Sequence, residues 1–335
     1  MQMGVILPTT KLFGGVKRFV ELGNIFVRRG HSFTILSPEG IPPEWADYRG
    51  KTDLIGNIGK CAFDVLFITE NEYAHVLSAS RARMKVFYCV SESQAARLKH
   101  VLRDRSIVIF VNSKGMFELV RRKYGIDPVK AIGGVDSLLF HPLEIKESSG
   151  VVTILAYGRL SRRGKGTQLV VKACEHLHRR GAKIRLIMFD TPVDEQARKQ
   201  IADFTCNVPF EFIVDHPVRE NYKIFQKGDI FVSAERKAGW SNTCAEAMAS
   251  GLVVVGTKAG TRDFLEHNVT GLVIFRHWWF IARALKRLLN SSDLRSGLAG
   301  KGLERIRRFT WEALAERILG VVVERLGDGP CKAGN

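Results

Sequence analysis

One pattern occurs twice in this chain, and it constrains the fold more than any other feature. Gly4 to Pro8 is an apolar strand, Lys11 to Gly15 a loop with two adjacent glycines, and Val16 to Arg28 a helix. The helix has an apolar stripe of Val16, Phe19, Val20, Ile25 and Phe26, with Lys17, Arg18 and Glu21 outside it. Gly30 ends it, and Phe33 to Leu36 is the next strand. The order then returns as a strand (Val151 to Tyr157), a basic Gly-bearing loop (Gly158 to Gly166), a helix (Thr167 to Arg179) and a strand (Ile184 to Phe189). Arg28-Arg29-Gly30 is matched by Arg179-Arg180-Gly181, 151 residues later. Short apolar strands alternating with amphipathic helices build parallel sheets covered on both faces. The reading is α/β, with two doubly wound, Rossmann-like domains whose parallel sheets face a cleft lined by both Gly loops.

The length of 335 residues accommodates two such domains. The first is expected over 1–148 as a Rossmann-like, acceptor-side domain. It adds strands at Phe63 to Ile68, Met84 to Val90 and Ser106 to Val111, and a helix from Met116 to Tyr124. Leu139 to Ser149, with Pro142 and Ser148-Ser149-Gly150, reads as the linker. The second domain is expected over 149–310. There Pro209 to Val214, Ile230 to Ser233 and Leu252 to Val255 read as strands. Arg219 to Lys227, Thr243 to Ser250, Trp279 to Leu289 and Ser292 to Arg308 read as helices. Residues 311–327 form a closing helix placed to cross back to the first domain, with a frayed Gly-rich tail beyond it.

No apolar run reaches the roughly 20 residues of a membrane span, and Met1 to Thr9 lacks the form of a signal peptide. The six cysteines are scattered without a CxxC pair, as small buried hydrophobes of a reducing cytoplasm are. Net charge is +17. Residues 1–150 hold 21 Lys+Arg against 15 Asp+Glu, and residues 151–335 hold 30 against 19, so both halves are basic. Phosphorylated ligands, an anionic membrane face and nucleic acid all suit that charge. Aromatic residues are sparse among the cations of the basic loop, which disfavours nucleic acid.

The chemistry concentrates in two stretches. Gly158-Arg159-Leu160-Ser161-Arg162-Arg163-Gly164-Lys165-Gly166 places four cations between a strand and a helix start. A departing diphosphate develops negative charge, which fixed cations and helix amides stabilise without a metal. Gly158 and Gly164 are one residue too far apart for an ATPase P-loop, and Lys165 is followed by Gly166. Arg159 and Lys165 flank the turn and are assigned to phosphate, Arg162 and Arg163 to solvent. The second stretch runs from Asp229 to Val273. Its loop Ala238 to Asn242 opens a helix that carries Glu246 in its first turns, just past a strand's carboxyl end. Glu246 there either takes two sugar hydroxyls or complements the helix dipole. The first loop, Phe13-Gly14-Gly15-Val16-Lys17, lacks dinucleotide spacing, and no acid ends its second strand. No DxD pair suits a divalent cation; Asp190 and Asp194 read as loop residues.

Several segments, in order, resemble the retaining glycosyltransferases of family 4, of GT-B architecture. Gly14-Gly15-Val16 with Arg29-Gly30-His31 looks like the N-terminal Gly loop of that family and its following helix. Gly133-Gly134-Val135-Asp136 with Phe140 and Pro142 is similar to the segment ending its first domain. Gly158-Arg159-Leu160 with Lys165-Gly166 looks like its diphosphate loop. Glu246-Ala247-Met248-Ala249-Ser250-Gly251 resembles the second half of its Glu-seven-residues-Glu motif. The resemblance implies that Arg159 and Lys165 hold the donor diphosphate and that Glu246 binds the nucleotide ribose. It further implies that Gly14 and Gly15 approach donor phosphate and acceptor, and that Gly239, Trp240, Ser241, Asn242 and Thr243 cradle donor phosphate or sugar. Two departures stand out. The motif's first Glu falls at Ala238, leaving Glu235 as the candidate sugar contact, and the region Phe87 to Gln94 has no His, with His75 the nearest in sequence.

The expectation is therefore a hexosyltransferase using a nucleoside-diphosphate sugar (UDP or GDP), with Arg159, Lys165 and Glu235 as its catalytic groups. It needs no cofactor and no metal. The acceptor is a sugar or lipid-linked sugar in cell-surface polysaccharide or glycolipid synthesis. The protein is placed in the cytoplasm, at the inner face of an anionic membrane, without nucleic acid as a partner. The rivals are a non-catalytic nucleotide or anion binder with a degenerate site, and a GT-B epimerase or phosphorylase.

Overall fold

The computed structural model describes residues 1–143 and 150–327. The segment Ser148-Ser149 of the expected linker, Cys331 and the Gly-rich tail lie outside the described residues. Contacts divide the chain into two compact units, Met1–Gly134 with the chain from Phe309 on, and Val135–Arg308.

The first unit runs β1 (Gln2–Ile6), α1 (Gly14–Arg28), β2 (Ser32–Ser37), β3 (Lys51–Leu54), β4 (Val65–Ile68), α2 (Ala74–Ala79), β5 (Met84–Cys89), α3 (Glu92–Ala96), β6 (Ile107–Val111), α4 (Lys114–Tyr124) and β7 (Val129–Lys130). Its seven strands pair in parallel in the order β3-β2-β1-β4-β5-β6-β7. Strand order reverses between β1 and β4, so the loops after these strands open at the unit's topological switch point. The central strands are apolar on both faces, as a covered parallel sheet requires.

The second unit runs β8 (Val152–Tyr157), α5 (Thr167–His178), β9 (Ile184–Asp190), α6 (Glu195–Ala202), β10 (Phe210–Val214), α7 (Asn221–Gln226), β11 (Ile230–Ser233), α8 (Asn242–Ala249), β12 (Val253–Gly256), β13 (Gly271–Val273), α9 (Trp278–Leu289) and α10 (Ser292–Ile306). Its six strands are also parallel, in the order β10-β9-β8-β11-β12-β13, with the reversal between β8 and β11. Both basic-loop and Glu-bearing stretches therefore begin at the same switch point. The last helix, α11 (Trp311–Gly327), packs on α1 in the first unit through Leu314, Ala315, Ile318 and Val322.

Three sequence expectations need correction. Gly14 and Gly15 are the first residues of α1, not a loop, and neither takes a positive φ. Arg18, assigned to the solvent side, is 2% exposed: its guanidinium stacks on Tyr88 and Trp311 at 5.4 Å each, and Nη1 donates to Tyr88 Oη at 3.0 Å. Asp190 is not a loop residue, whereas Asp194 is one, in the bend before α6. Asp190 ends β9 in the interior, and Asp194 caps α6 by accepting from the Ala197 amide at 2.8 Å.

Candidate active site

At the β8–β11 switch point the buried strands deliver two residues as they end, Tyr157 from β8 and Ser233 from β11. The Gly158–Gly166 loop folds back over that edge. Gly166 has φ +78° and heads α5, and a Cβ on it would lie 2.4 Å from Ala234 O. Only glycine lets the loop approach the β11 chain this closely. The Arg236 amide donates to Gly164 O at 2.8 Å, and Arg276 donates to Ala234 O at 2.8 Å and Arg163 O at 2.6 Å. One backbone bond and two from the Arg276 side chain thus tie the loop to the chain that follows β11.

The Tyr157 ring is a platform for both assigned cations. The Arg159 guanidinium lies 5.3 Å and Lys165 Nζ 5.7 Å from its centroid. Arg159 is 9% exposed; its Nε donates to Asp190 Oδ1 at 2.9 Å and Nη2 to Thr191 O at 3.0 Å. Asp190 thus fixes Arg159 and also lies beside Tyr157. Burial first, then that carboxylate, push the Tyr157 hydroxyl above its usual range. Lys165 Nζ is ion-paired with Glu235, whose side chain is 9% exposed against 33% for the lysine. Two residues assigned to catalysis, 70 positions apart, are therefore one contact. Arg162, by contrast, is exposed.

The loop before α8 is anchored by Trp240, 7% exposed, whose ring meets Phe264 edge-on at 4.9 Å. The Ser241 amide donates to Gly260 O at 2.9 Å. Gly260, at φ +70°, leaves room there: its Cβ would sit 2.8 Å from both Ala238 Cβ and Ser241 N. Gly239 is buried, and Asn242 and Thr243, the first residues of α8, are half-buried. Ser241 occupies the N-cap position, yet its side chain makes no capping bond. Its hydroxyl is buried with no hydrogen-bond partner in the described structure. The Cys244 thiol beside it is pushed up to about 12 by burial, and its sulfur is only a weak acceptor for the Ser241 hydroxyl. Glu246 lies one turn into α8, 6% exposed. In the first unit, the Gly15 Cβ position would be 3.3 Å from Val90 Cγ2, and His75 is exposed on α2.

Sequence reasoning did not find Tyr157 and Asp190. Each closes an apolar strand at its carboxyl end, and a polar residue in that position is the signal that would have found them.

Comparison with known proteins bears on what this arrangement does. Residues 143–305 match the family model described as Glycosyl transferases group 1. The chain is 23% identical over 370 residues to a phosphatidyl-myo-inositol mannosyltransferase of Mycolicibacterium smegmatis, covering 98% of this chain and 95% of that one. Among solved structures, sucrose-phosphate synthase from Thermosynechococcus elongatus superposes with a TM-score of 0.80 at 14% identity, over 98% of this chain and 100% of the other. Anabaena Alr3699/HepE in complex with UDP-glucose superposes with a TM-score of 0.76 at 14% identity, over 97% and 100%. The fold is GT-B, and the chain is a glycosyltransferase that resembles the group 1 family over residues 143–305.

Proposed function

We propose that the chain moves a hexosyl group from a nucleoside-diphosphate sugar to a hydroxyl of a sugar or lipid-linked sugar, with retention and without a metal ion. The observation that carries the donor site is the N-terminus of α8. Its N-cap hydroxyl, Ser241 Oγ, is buried, has only the weakly accepting Cys244 sulfur beside it and is not used for capping. A buried hydroxyl without a strong partner costs free energy, and helix amides left uncapped beside it form an anion site. A donor phosphate satisfies both.

In this reading Arg159, with Nε and Nη2 held by Asp190 and Thr191, presents its remaining Nη1 to the diphosphate. Lys165 supplies the second cation. When the bond between the sugar carbon and the phosphate oxygen breaks, its electron pair stays on the diphosphate. Fixed cations and amides take up that charge without reorganising. Glu246 receives the ribose hydroxyls. Gly239, Trp240, Asn242 and Thr243 shape the phosphate and sugar cradle. Glu235 serves the sugar end in place of the acid missing at Ala238, and holds Lys165 in position. The retention of configuration rests on the family resemblance, and the diphosphate donor is further supported by the UDP-glucose complex of the Anabaena neighbour. The place of action is the cytoplasmic face of a membrane, in polysaccharide or glycolipid synthesis.

The test is thermal stability with UDP, GDP and ADP, each with Mg2+ or with EDTA. One base is expected to stabilise the protein at micromolar concentration, equally in EDTA. Equal, weak, millimolar responses to all three would indicate a charge-driven anion binder instead.

A further inference from the structure

The first unit contains cations that the sequence draws together, but many are engaged. Arg83 pairs with Asp64 and Arg121 with Asp127, each at 3.1 Å. Lys123 Nζ donates to Ala96 O at 2.7 Å. The second unit carries a different surface. α9 has no acidic residue, and its amino end exposes an aromatic cluster: Phe275 is 75% exposed, Trp279 45% and Phe280 36%. The Phe275 and Phe280 rings are 5.2 Å apart, and those of Trp279 and Phe280 5.1 Å. Phe280 touches both of the other rings, and three exposed rings so joined are an apolar patch of the kind that marks an interaction surface.

Beside Trp279, between α9 and the carboxyl end of α5, runs a groove of about 610 Å³. Arg180, Lys183, Arg283 and Lys286 line it, and none of its described lining residues is acidic. None of these four cations is in an ion pair among the described residues. Arg283 lies 5.6 Å from the Trp279 ring centroid, and Lys172 lies 5.0 Å from that of Trp278. The inner face of α9 is packed in the core of the unit, so what it offers a partner is its outer side, where exposed tryptophan and phenylalanine lie beside unpaired lysine and arginine, the chemistry of a surface that meets a bilayer interface. The rings sit at headgroup depth, and the cations meet lipid phosphate.

We propose that this face of the second unit, centred on α9, docks on an anionic lipid bilayer. Phe275, Trp279 and Phe280 enter the headgroup layer, and the groove receives lipid phosphates on Arg180, Lys183, Arg283 and Lys286. This gives the membrane association proposed above a specific surface, and so it rests on that reading. It is independent of the donor site.

Flotation with vesicles of phosphatidylglycerol and phosphatidylcholine, against phosphatidylcholine alone, tests it with the full chain. Binding to the anionic vesicles is expected at low salt and is lost at high salt. At about 1 kcal/mol per cation, and a tenfold change per 1.4 kcal/mol, Arg283→Ala with Lys286→Ala should lower partition about 25-fold. Phe275→Ser with Phe280→Ser should lower binding that remains in high salt. Nucleoside-diphosphate affinity, measured on the same samples, should not move in either variant. Wild-type partition in both variants would overturn the docking face while leaving membrane association standing. No flotation of the wild type would overturn both. Capture of soluble inorganic phosphate, or of nucleic acid, by the same cations without vesicle binding would replace the bilayer with that ligand.

Discussion

Ser241→Ala separates a donor-binding hydroxyl from a structural one because the two roles move stability and affinity in opposite directions. An N-cap serine that bonds its helix stabilises by about 1 kcal/mol, and alanine loses that. Ser241 makes no such bond. Its hydroxyl is instead buried with only the Cys244 sulfur, a weak acceptor, beside it, a cost of about 1–2 kcal/mol that alanine removes. After a small loss of packing, the variant should be more stable by about 1 kcal/mol. For a unit the size of Val135–Arg308, that raises Tm by about 2–4 °C. With donor bound, the balance reverses. A hydrogen bond to a charged phosphate contributes about 1.5–3 kcal/mol, so nucleoside-diphosphate affinity should fall about 10- to 150-fold. Calorimetric unfolding of the free variant and titration with the preferred nucleoside diphosphate give the two numbers. A lowered Tm with unchanged nucleotide affinity would refute the reasoning, because that is the signature of an ordinary cap.

The remaining predictions concern two arginines and two carboxyls. Arg159→Ala should cut turnover roughly 100-fold and also lower Tm by stranding the buried Asp190 carboxylate, whereas Arg162→Ala, on an exposed side chain, should do neither; equal kinetic effects would sink the assignment. Glu235→Ala should reduce transfer roughly 100-fold while nucleoside-diphosphate affinity holds or improves, because a carboxylate leaves an anion site, and full transfer activity would show that other groups hold the sugar. In the first unit, burial raises the Glu70 carboxyl above its ordinary range despite the bond from Gln94. The native state then holds its proton more tightly than the unfolded chain, so this stability is complete below the ordinary carboxyl pKa and is lost as pH rises through the raised value. Glu70→Gln should therefore be the more stable protein at neutral pH and lose its advantage in acid, and parallel wild-type and variant Tm curves against pH would contradict it.

Most of the architecture was legible because covered parallel strands and their helices write opposite periodicities into the chain. Ile230 to Ser233 was read to the residue, and α8 within one residue. What escaped were elements whose residues carry no period of their own. β3, Lys-Thr-Asp-Leu, is a polar edge strand held by its pairing with β2, and β7 has two residues. α6 has eight residues and α2 and α3 fewer, too short for an apolar stripe to stand out. The site divided the same way. The phosphate loop and α8 are local signals, a glycine turn and a helix start. The pairing of Lys165 with Glu235 and of Arg159 with Asp190 depends on which strands are neighbours, and sheet order is not written in either stretch.

Arg18 shows why the same limit applies even to a well-read helix. Periodicity divides α1 into an apolar stripe and a polar remainder, and on that division a charged residue belongs to solvent. The division assumes that only the sheet covers the helix. In the structure a second cover arrives after the second unit is complete, when α11 packs on α1 and brings Trp311 against the Arg18 guanidinium. Gly134 makes room for that ring, with its Cβ position only 2.2 Å from Trp311 Cζ3. The cation is then held by two aromatic faces and the Tyr88 hydroxyl, an arrangement suited to the planar guanidinium and not to an ammonium group. The burial of Arg18 is thus set by a residue 293 positions away. Local sequence states the chemistry of a side chain, and the return of the chain decides whether that chemistry meets water.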